Sequence, residues 1–426
     1  MGNASCDAVY SHPPLRNFVA QERRGFDLII TEAFSTNCAL GLVHRFRPAP
    51  YIGLSSCAPF SWDLSRVGSP VQYAVMPQTL LWLTDDMTLW ERVVNTVYSL
   101  AGRGIGALFW DRETQRVVDK HFGPGVPPIE DIAHNMSLLI TNTHPALNGP
   151  RPFGHAVVEV GGLHIGKQKP LPKDLETFVS GAKDGLIVFS LGSMVRTSSI
   201  PKDRAVALLD AFGTLKQRVV WKWEGEAPGP VPSNVLLSKW LPQFDVVCHN
   251  NTRLFIGHGG LLSTTEAAYC GVPMLGIAFF GDQHTNMAAI AKVGSGRKLS
   301  YSTLKDAGFF IQQVRDLLEN HSYRENAKRL SARFHDRPMS AVDTAVFWTE
   351  HVIRHGGAPH LLGAARRLYW HQELLLDVLA VVLLATAAVL AVLAVLAVVL
   401  RTLVRRVRRL VGSSDRAKSS KKQKRS

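Results

Sequence analysis

Apolar residues along the chain gather in short unbroken runs punctuated by glycine, proline and asparagine. That pattern predicts buried parallel strands. FDLIIT at 26–31 reads as a strand ending at Glu32, residues 36–46 read as a helix, and PYIGLS at 50–55 reads as a second strand. Strand, helix, strand is one parallel unit. Residues 61–125 are mixed, with a helical period over 88–100, and SLLITN at 137–142 is a further strand. Residues 145–172 hold five prolines and five glycines, too many for a regular element, and read as a link between two domains.

A cleaner alternation follows. GLIVFS at 185–190, RVVWKW at 218–223, NVLLS at 234–238, LFIG at 254–257 and PMLGI at 273–277 are strand runs, with helices over 203–212 and from Ser263. This series predicts a doubly wound parallel sheet, whose ligands bind outside the carboxyl ends of the strands. Residues 311–332 and 339–355 have the spacing of amphipathic helices. The expected fold class is α/β. The expected domains are 1–165 and 166–360, followed by a juxtamembrane segment at 361–377.

The 23 residues 378–400 carry no charge and are apolar on every helical face. As a helix they span roughly 35 Å, enough to cross a bilayer core with some tilt. Arg401, Arg405, Arg406, Arg408 and Arg409 follow at once. The positive-inside rule then predicts a cytoplasmic tail at 401–426 and a luminal main body. The ending KKQKRS resembles a dilysine signal for the endoplasmic reticulum, and Asn135 and Asn250 head glycosylation sequons that a luminal domain can use. The first residues hold no apolar core of a signal peptide. The expectation is therefore either a tail-type anchor or a shortened N-terminal part.

Charge changes little once it is located. The net charge is +14, but eleven Lys/Arg against one acid give the last 26 residues +10 and leave about +4 for the other 400. A nucleic-acid-binding face is not required, and none is expected. Five cysteines, Cys6, Cys38, Cys57, Cys248 and Cys270, show no CxxC spacing. They read as buried thiols, with a Cys38–Cys57 disulfide left open.

The candidate chemistry lies in the second half. A strand that ends in Gly-His-Gly-Gly and opens a helix makes an anion site, from close backbone approach and unpaired helix amides. His258, Gly259, Gly260 and Ser263 are its members. Trp240 follows a strand and can stack on a base, with Gln243 beside it. Glu266 is three residues after Ser263, on the same side of the helix, where a carboxylate suits ribose hydroxyls. Asp282 and Gln283 follow the next strand and can hold sugar hydroxyls. A dehydrogenase reading lacks GxGxxG with a downstream acid.

The 44 residues from Trp240 to Gln283, WLPQFDVVCHNNTRLFIGHGGLLSTTEAAYCGVPMLGIAFFGDQ, resemble the signature of the UDP-glycosyltransferases, glycosyltransferase family 1. FSLGSM at 189–194, YRENAK at 323–328, AVFW at 345–348 and the LDV entry to the apolar segment match as well. The resemblance implies a GT-B fold of two Rossmann-like domains, the first incomplete here. It implies that Trp240 stacks on uracil, Gln243 lies near the ribose and Glu266 binds the ribose hydroxyls. Ser193, His258, Gly260 and Ser263 would contact the diphosphate, and Asp282 and Gln283 the sugar. The UDP-sugar would be a co-substrate, with no cofactor and no metal. Leu262 stands where many members carry Asn, and HGGLLST is similar to an insect-like branch that mostly uses UDP-glucose.

The same resemblance implies inverting transfer to a small lipophilic acceptor. A histidine acts as general base and a carboxylate after the first strand orients it; here that carboxylate is Glu32. The base belongs to a loop upstream of FDLII that this sequence does not include, and His12 and His44 are poor replacements. Two readings follow. One is a membrane-bound transferase; the other is a catalytically impaired UDP-sugar-binding partner of full-length relatives, in a homo- or hetero-oligomer.

Overall fold

The structure is a computed structural model that describes residues 2–34 and 36–423. The chain divides into two compact units, Met1–Arg366 and Arg367–Ser426.

Two all-parallel sheets organise the first unit. One has β1 (Ile29–Glu32), β2 (Tyr51–Ser55), β3 (Met136–Thr141) and β4 (Val157–Glu159), in the order β1-β2-β3-β4. The other has β5 (Leu186–Ser190), β6 (Arg218–Lys222), β7 (Val235–Ser238), β8 (Thr252–Gly257), β9 (Met274–Ala278) and β10 (Gly296–Ser300). Its order is β10-β9-β8-β5-β6-β7. Strands such as LIVFS and MLGIA are buried at every position, as expected where helices cover both faces.

The second sheet is held by an aromatic stack. Phe189 on β5 lies 4.9 Å from Trp221 on β6, with Phe212 and Phe310 from the covering helices against them. All four are fully buried. On the first sheet, Ile52, Leu138, Ile140 and Val158 pack against Ala341, Val352 and Ala358. The helix Ala341–Arg354 therefore returns to the first sheet after the second is complete. The outgoing and returning passages touch: Arg337 donates from its guanidinium to the carbonyl of Gly161 at 2.9 Å.

Several elements differ from the sequence expectation. The segment 145–172 is not wholly a link, because it contains the helix Pro145–Asn148 and β4, which pairs with β3. The single helix expected over 311–332 is two, Ala307–Glu319 and His321–His335. Asn320 adopts an extended backbone between them and its side chain accepts from the Ser322 amide, capping the second helix. The cysteines are not all buried thiols. Cys6 pairs with Cys38 and Cys248 with Cys270, at Cα separations of 5.4 and 4.9 Å, and only Cys57 stays a buried free thiol. The Cys38–Cys57 alternative fails because the helix Gly2–Ser11 brings Cys6 to Cys38 instead.

In the second unit a helix runs from Leu376 to Gln423. Its stretch Leu376–Arg409 contains an 18-residue window of mean hydropathy 3.0 and is long and apolar enough to cross a membrane. The last part of the dilysine-like ending, residues 424–426, lies outside the described residues.

Removing the hub of the aromatic stack should be costly. Phe212→Ala is expected to destabilise the chain by about 3–5 kcal/mol, because the fully buried ring leaves a cavity among Phe189, Trp221 and Phe310 between the second sheet and its covering helices. The midpoint of urea unfolding, compared with that of the unaltered chain, measures it.

Candidate functional site

The strand order of the second sheet reverses at β5, which lies between β8 and β6. Such a reversal opens a crevice at the carboxyl ends of the two strands that part there. Beyond β5 the chain runs Leu191-Gly192-Ser193, and beyond β8 it runs His258-Gly259-Gly260 into the helix Leu261–Cys270. The two segments meet around one imidazole. A Cβ on Gly192 would come within 2.7 Å of His258 Cε1, and one on Gly260 within 2.5 Å of Nε2. Only glycine at both places leaves room for the ring. Gly192 also has φ +78° and Gly259 φ +84°, backbone that other residues rarely adopt.

His258 is half-buried, and its buried Nδ1 has no hydrogen-bond partner among the described residues. Burial pushes its pKa down to about 4, so the ring is neutral at neutral pH. A buried ring atom left unpaired at the mouth of a crevice is ready for a ligand atom. Beside it, Gly260 caps the helix without a side-chain acceptor of its own, so the first-turn amides beyond Leu261, which Asp282 engages, are left for a ligand. Ser263 donates its hydroxyl to the Gly260 carbonyl at 3.0 Å, as does Thr264 at 2.9 Å. Ser193 is exposed in the turn after β5.

The other expected residues come from separate elements: Glu266 from the helix Leu261–Cys270, Trp240 and Gln243 from the chain after β7, and Asp282 and Gln283 from the start of the helix after β9. Gln243 donates from Nε2 to Glu266 Oε2 at 2.6 Å. Burial raises the Glu266 pKa, and Gln243 opposes that rise. Trp240 is 75% exposed, its backbone carbonyl held by the Ser238 hydroxyl at 2.7 Å, so the indole face is open to stacking. Asp282 is raised by burial and takes a backbone hydrogen bond from Leu261, the first residue of the Gly260-capped helix. Gln283 is only 3% exposed, and its Oε1 accepts from the amides of Phe279 and Phe280 at 2.8 and 3.2 Å. Its carbonyl is thus engaged in shaping the loop after β9, which leaves only its amide N–H groups for a ligand.

Glu32 is placed at the carboxyl end of β1, exposed. The buried Cys57 thiol feels both Glu32 and Asp282 electrostatically, so the end of the first sheet faces this site. His12 caps the helix Pro13–Gln21 and His44 lies within the helix Leu40–Arg45; neither follows a strand.

Two groups of supporting residues escaped the sequence reading. Lys222, at the end of β6, donates to the Gly192 carbonyl at 2.8 Å and pairs with Glu224 at 2.7 Å. Glu224 in turn accepts from the amides of Thr197 and Ser198, which pins the loop carrying Ser193. Asn286 donates to Asp282 Oδ2 at 2.7 Å and to the Gly259 carbonyl at 2.9 Å, tying two helix starts together. The i,i+4 spacing of Asp282 and Asn286 was the available signal for the latter.

The His258 environment gives two tests. Its folded pKa lies below the unfolded 6.5, so the unfolded chain takes up the proton first as pH falls. Stability is retained above pH 6.5 and lost between about 6.5 and 4, by on the order of 2–3 kcal/mol from this residue. Melting temperature against pH should fall less steeply in His258→Asn; equal slopes would count against this account. Gly260→Ala should weaken UDP binding at least tenfold by displacing the ring, read by calorimetric titration.

The comparisons with known proteins agree with this geometry. The family model described as UDP-glucoronosyl and UDP-glucosyl transferase matches residues 3–416. The chain is 40% identical to UDP-glycosyltransferase UGT5 of Dactylopius coccus, over 87% of the chain and 70% of that protein. It is 34% identical to human UDP-glucuronosyltransferase 2A2, over 89% of the chain and 69% of that protein. Among solved structures, the calicheamicin glycosyltransferase CalG4 superposes with a TM-score of 0.55 at 18% identity, covering 84% of this chain and 81% of that one. The glycosyltransferase VinC in complex with dTDP gives 0.54 at 16% identity, covering 83% and 80%. The fold is GT-B, and the chain belongs to the UDP-glucuronosyl and UDP-glucosyl transferase family, whose members are UDP-glycosyltransferases.

Proposed function

We propose that this UDP-glycosyltransferase moves glucose from UDP-glucose, with inversion, to a hydroxyl of a small lipophilic acceptor. The observation that carries the donor assignment is the half-buried His258 imidazole, its Nδ1 unpaired, held between Gly192 and Gly260 beside a helix N-terminus. In this reading the diphosphate accepts from the His258 ring, the first-turn amides and the hydroxyls of Ser193 and Ser263, the last after turning from the Gly260 carbonyl. These donors stabilise the charge that grows on the departing UDP without a metal or a resident cofactor. Uracil stacks on Trp240, the Gln243–Glu266 pair takes the ribose hydroxyls, and Asp282 with the Gln283 amide holds the sugar. Glu32, at the carboxyl end of β1, is the carboxylate that would orient a histidine base brought to the acceptor hydroxyl.

We place the enzyme in the endoplasmic reticulum membrane, crossing once through the uncharged residues 378–400, with its body in the lumen and its basic tail in the cytoplasm. Arg401 to Arg409 favour that orientation, and the Cys6–Cys38 and Cys248–Cys270 disulfides suit an oxidising lumen. The second reading is a UDP-sugar-binding partner of related transferases, lacking turnover of its own. It is favoured by the absence, among the described residues, of a histidine hydrogen-bonded to Glu32.

Microsomes expressing the chain, supplied with UDP-glucose and a phenolic acceptor, separate the two. Product that falls at least a hundredfold in His258→Ala supports the enzyme, and Trp240→Ala should raise the KM for UDP-glucose about tenfold through lost stacking. UDP binding without any product would establish the partner instead.

A further inference from the structure

A cavity of about 200 Å³ lies between the loop 77–85, the segment 145–151 and the helix Gln283–Lys292. Its walls are mainly apolar, from Pro77, Leu83, Ala146, Leu147 and Val293. One polar group among its lining stands out. Arg151 borders the cavity, yet its guanidinium makes no hydrogen bond or ion pair among the described residues.

The neighbouring carboxylates are otherwise engaged. Glu159 accepts from the Thr143 hydroxyl at 2.7 Å, and Asp85 is bridged by Lys292 at 2.7 Å. Other polar liners are engaged as well: Thr79 donates to the carbonyl of Ala58, Thr285 to the carbonyls of Thr79 and Leu81, and Asn286 to Asp282 and Gly259. An arginine keeps its charge at any ordinary pH, and a buried, unpaired one is costly. Burial pushes the Arg151 pKa down, and the charges of Glu159 and Asp85 nearby oppose that shift without pairing with the guanidinium. Its planar fork of donors matches a carboxylate two bonds at a time. Asp85 also lines the cavity, but its carboxylate is already bridged by Lys292, which leaves the Arg151 fork as the charged donor free to take an anion.

We propose that this cavity is a binding site for a small organic anion, a compact apolar body bearing a carboxylate that pairs with Arg151. The volume lies below that of pockets for drug-sized ligands, so the body is about the size of a single ring. The site stands apart from the proposed glucosyl transfer, because nothing in it requires a sugar donor. It touches the nucleotide-sugar site at one residue: Asn286 lines the cavity and holds Asp282 in place.

The test is calorimetric titration of the full chain in detergent micelles with benzoate, neutral benzamide and inorganic phosphate. Benzoate should bind saturably and at least tenfold more tightly than either of the others, as expected for a charge-assisted bidentate contact next to an apolar wall. Arg151→Met should weaken benzoate at least tenfold while UDP affinity stays within about twofold. Ala289→Leu, which fills the cavity and leaves Arg151 intact, should weaken benzoate likewise. No saturable benzoate binding, benzamide or phosphate binding as tightly as benzoate, or full benzoate affinity in Arg151→Met would each overturn the proposal. Should Arg151→Met fail to fold, the ratio of benzoate to benzamide and the Ala289→Leu variant still decide it.

Discussion

The site depends on one constraint, the fit of a single imidazole between two glycines at the place where the strand order turns back. β5 and β8 are neighbours in the sheet, paired at Ser190 and Gly257, but their continuations part. Whatever fills the space between them sets how close the two loops stand. His258 does so, and its contacts with Gly192 and Gly260 leave no room for even one further carbon on either side. The Lys222–Glu224 pair then fixes the first loop, and Asn286 fixes the second to the start of the next helix. Rigid strands deliver the groups, and short charged or amide contacts hold them.

Burial then decides the chemistry of those groups. His258 is neutral because it is desolvated, whereas Glu266 and Asp282 are drawn toward their protonated forms by the same cause. Desolvation thus moves all three toward neutrality. A diphosphate entering such a crevice meets an uncharged ring and a helix dipole rather than a cluster of carboxylates at full charge, which keeps the anion from being repelled.

Much of this was legible in the sequence, for a physical reason. Strands buried on both faces, such as LIVFS and MLGIA, must be continuous apolar runs, and the motif residues lie at strand ends, where chain order and spatial order agree. What was hidden depended on distance rather than order. β10, GRKLS, is an edge strand with one buried side chain, Leu299, besides glycine's place, too few to mark a run. β4 has three residues inside a proline-rich stretch. The break at Asn320 does not disturb the apolar period on either side of it. Cys6–Cys38 and Lys222–Gly192 join positions whose separation along the chain says nothing of their separation in space. Gln283 was read as a sugar ligand from its place beside Asp282, but its burial under the loop after β9 engages half of its amide.

The return of the helix Ala341–Arg354 to the first sheet has its own consequence. The polypeptide crosses between the sheets twice, and Arg337 fastens the second crossing to the first at Gly161 while stacking on Phe334. Two strands of chain bound side by side behave as a ply rather than as a thread: they bend together but resist twisting. A protease that severed the outgoing strand would still leave the halves joined by the return strand, so integrity of the molecule does not rest on any single peptide bond in that region.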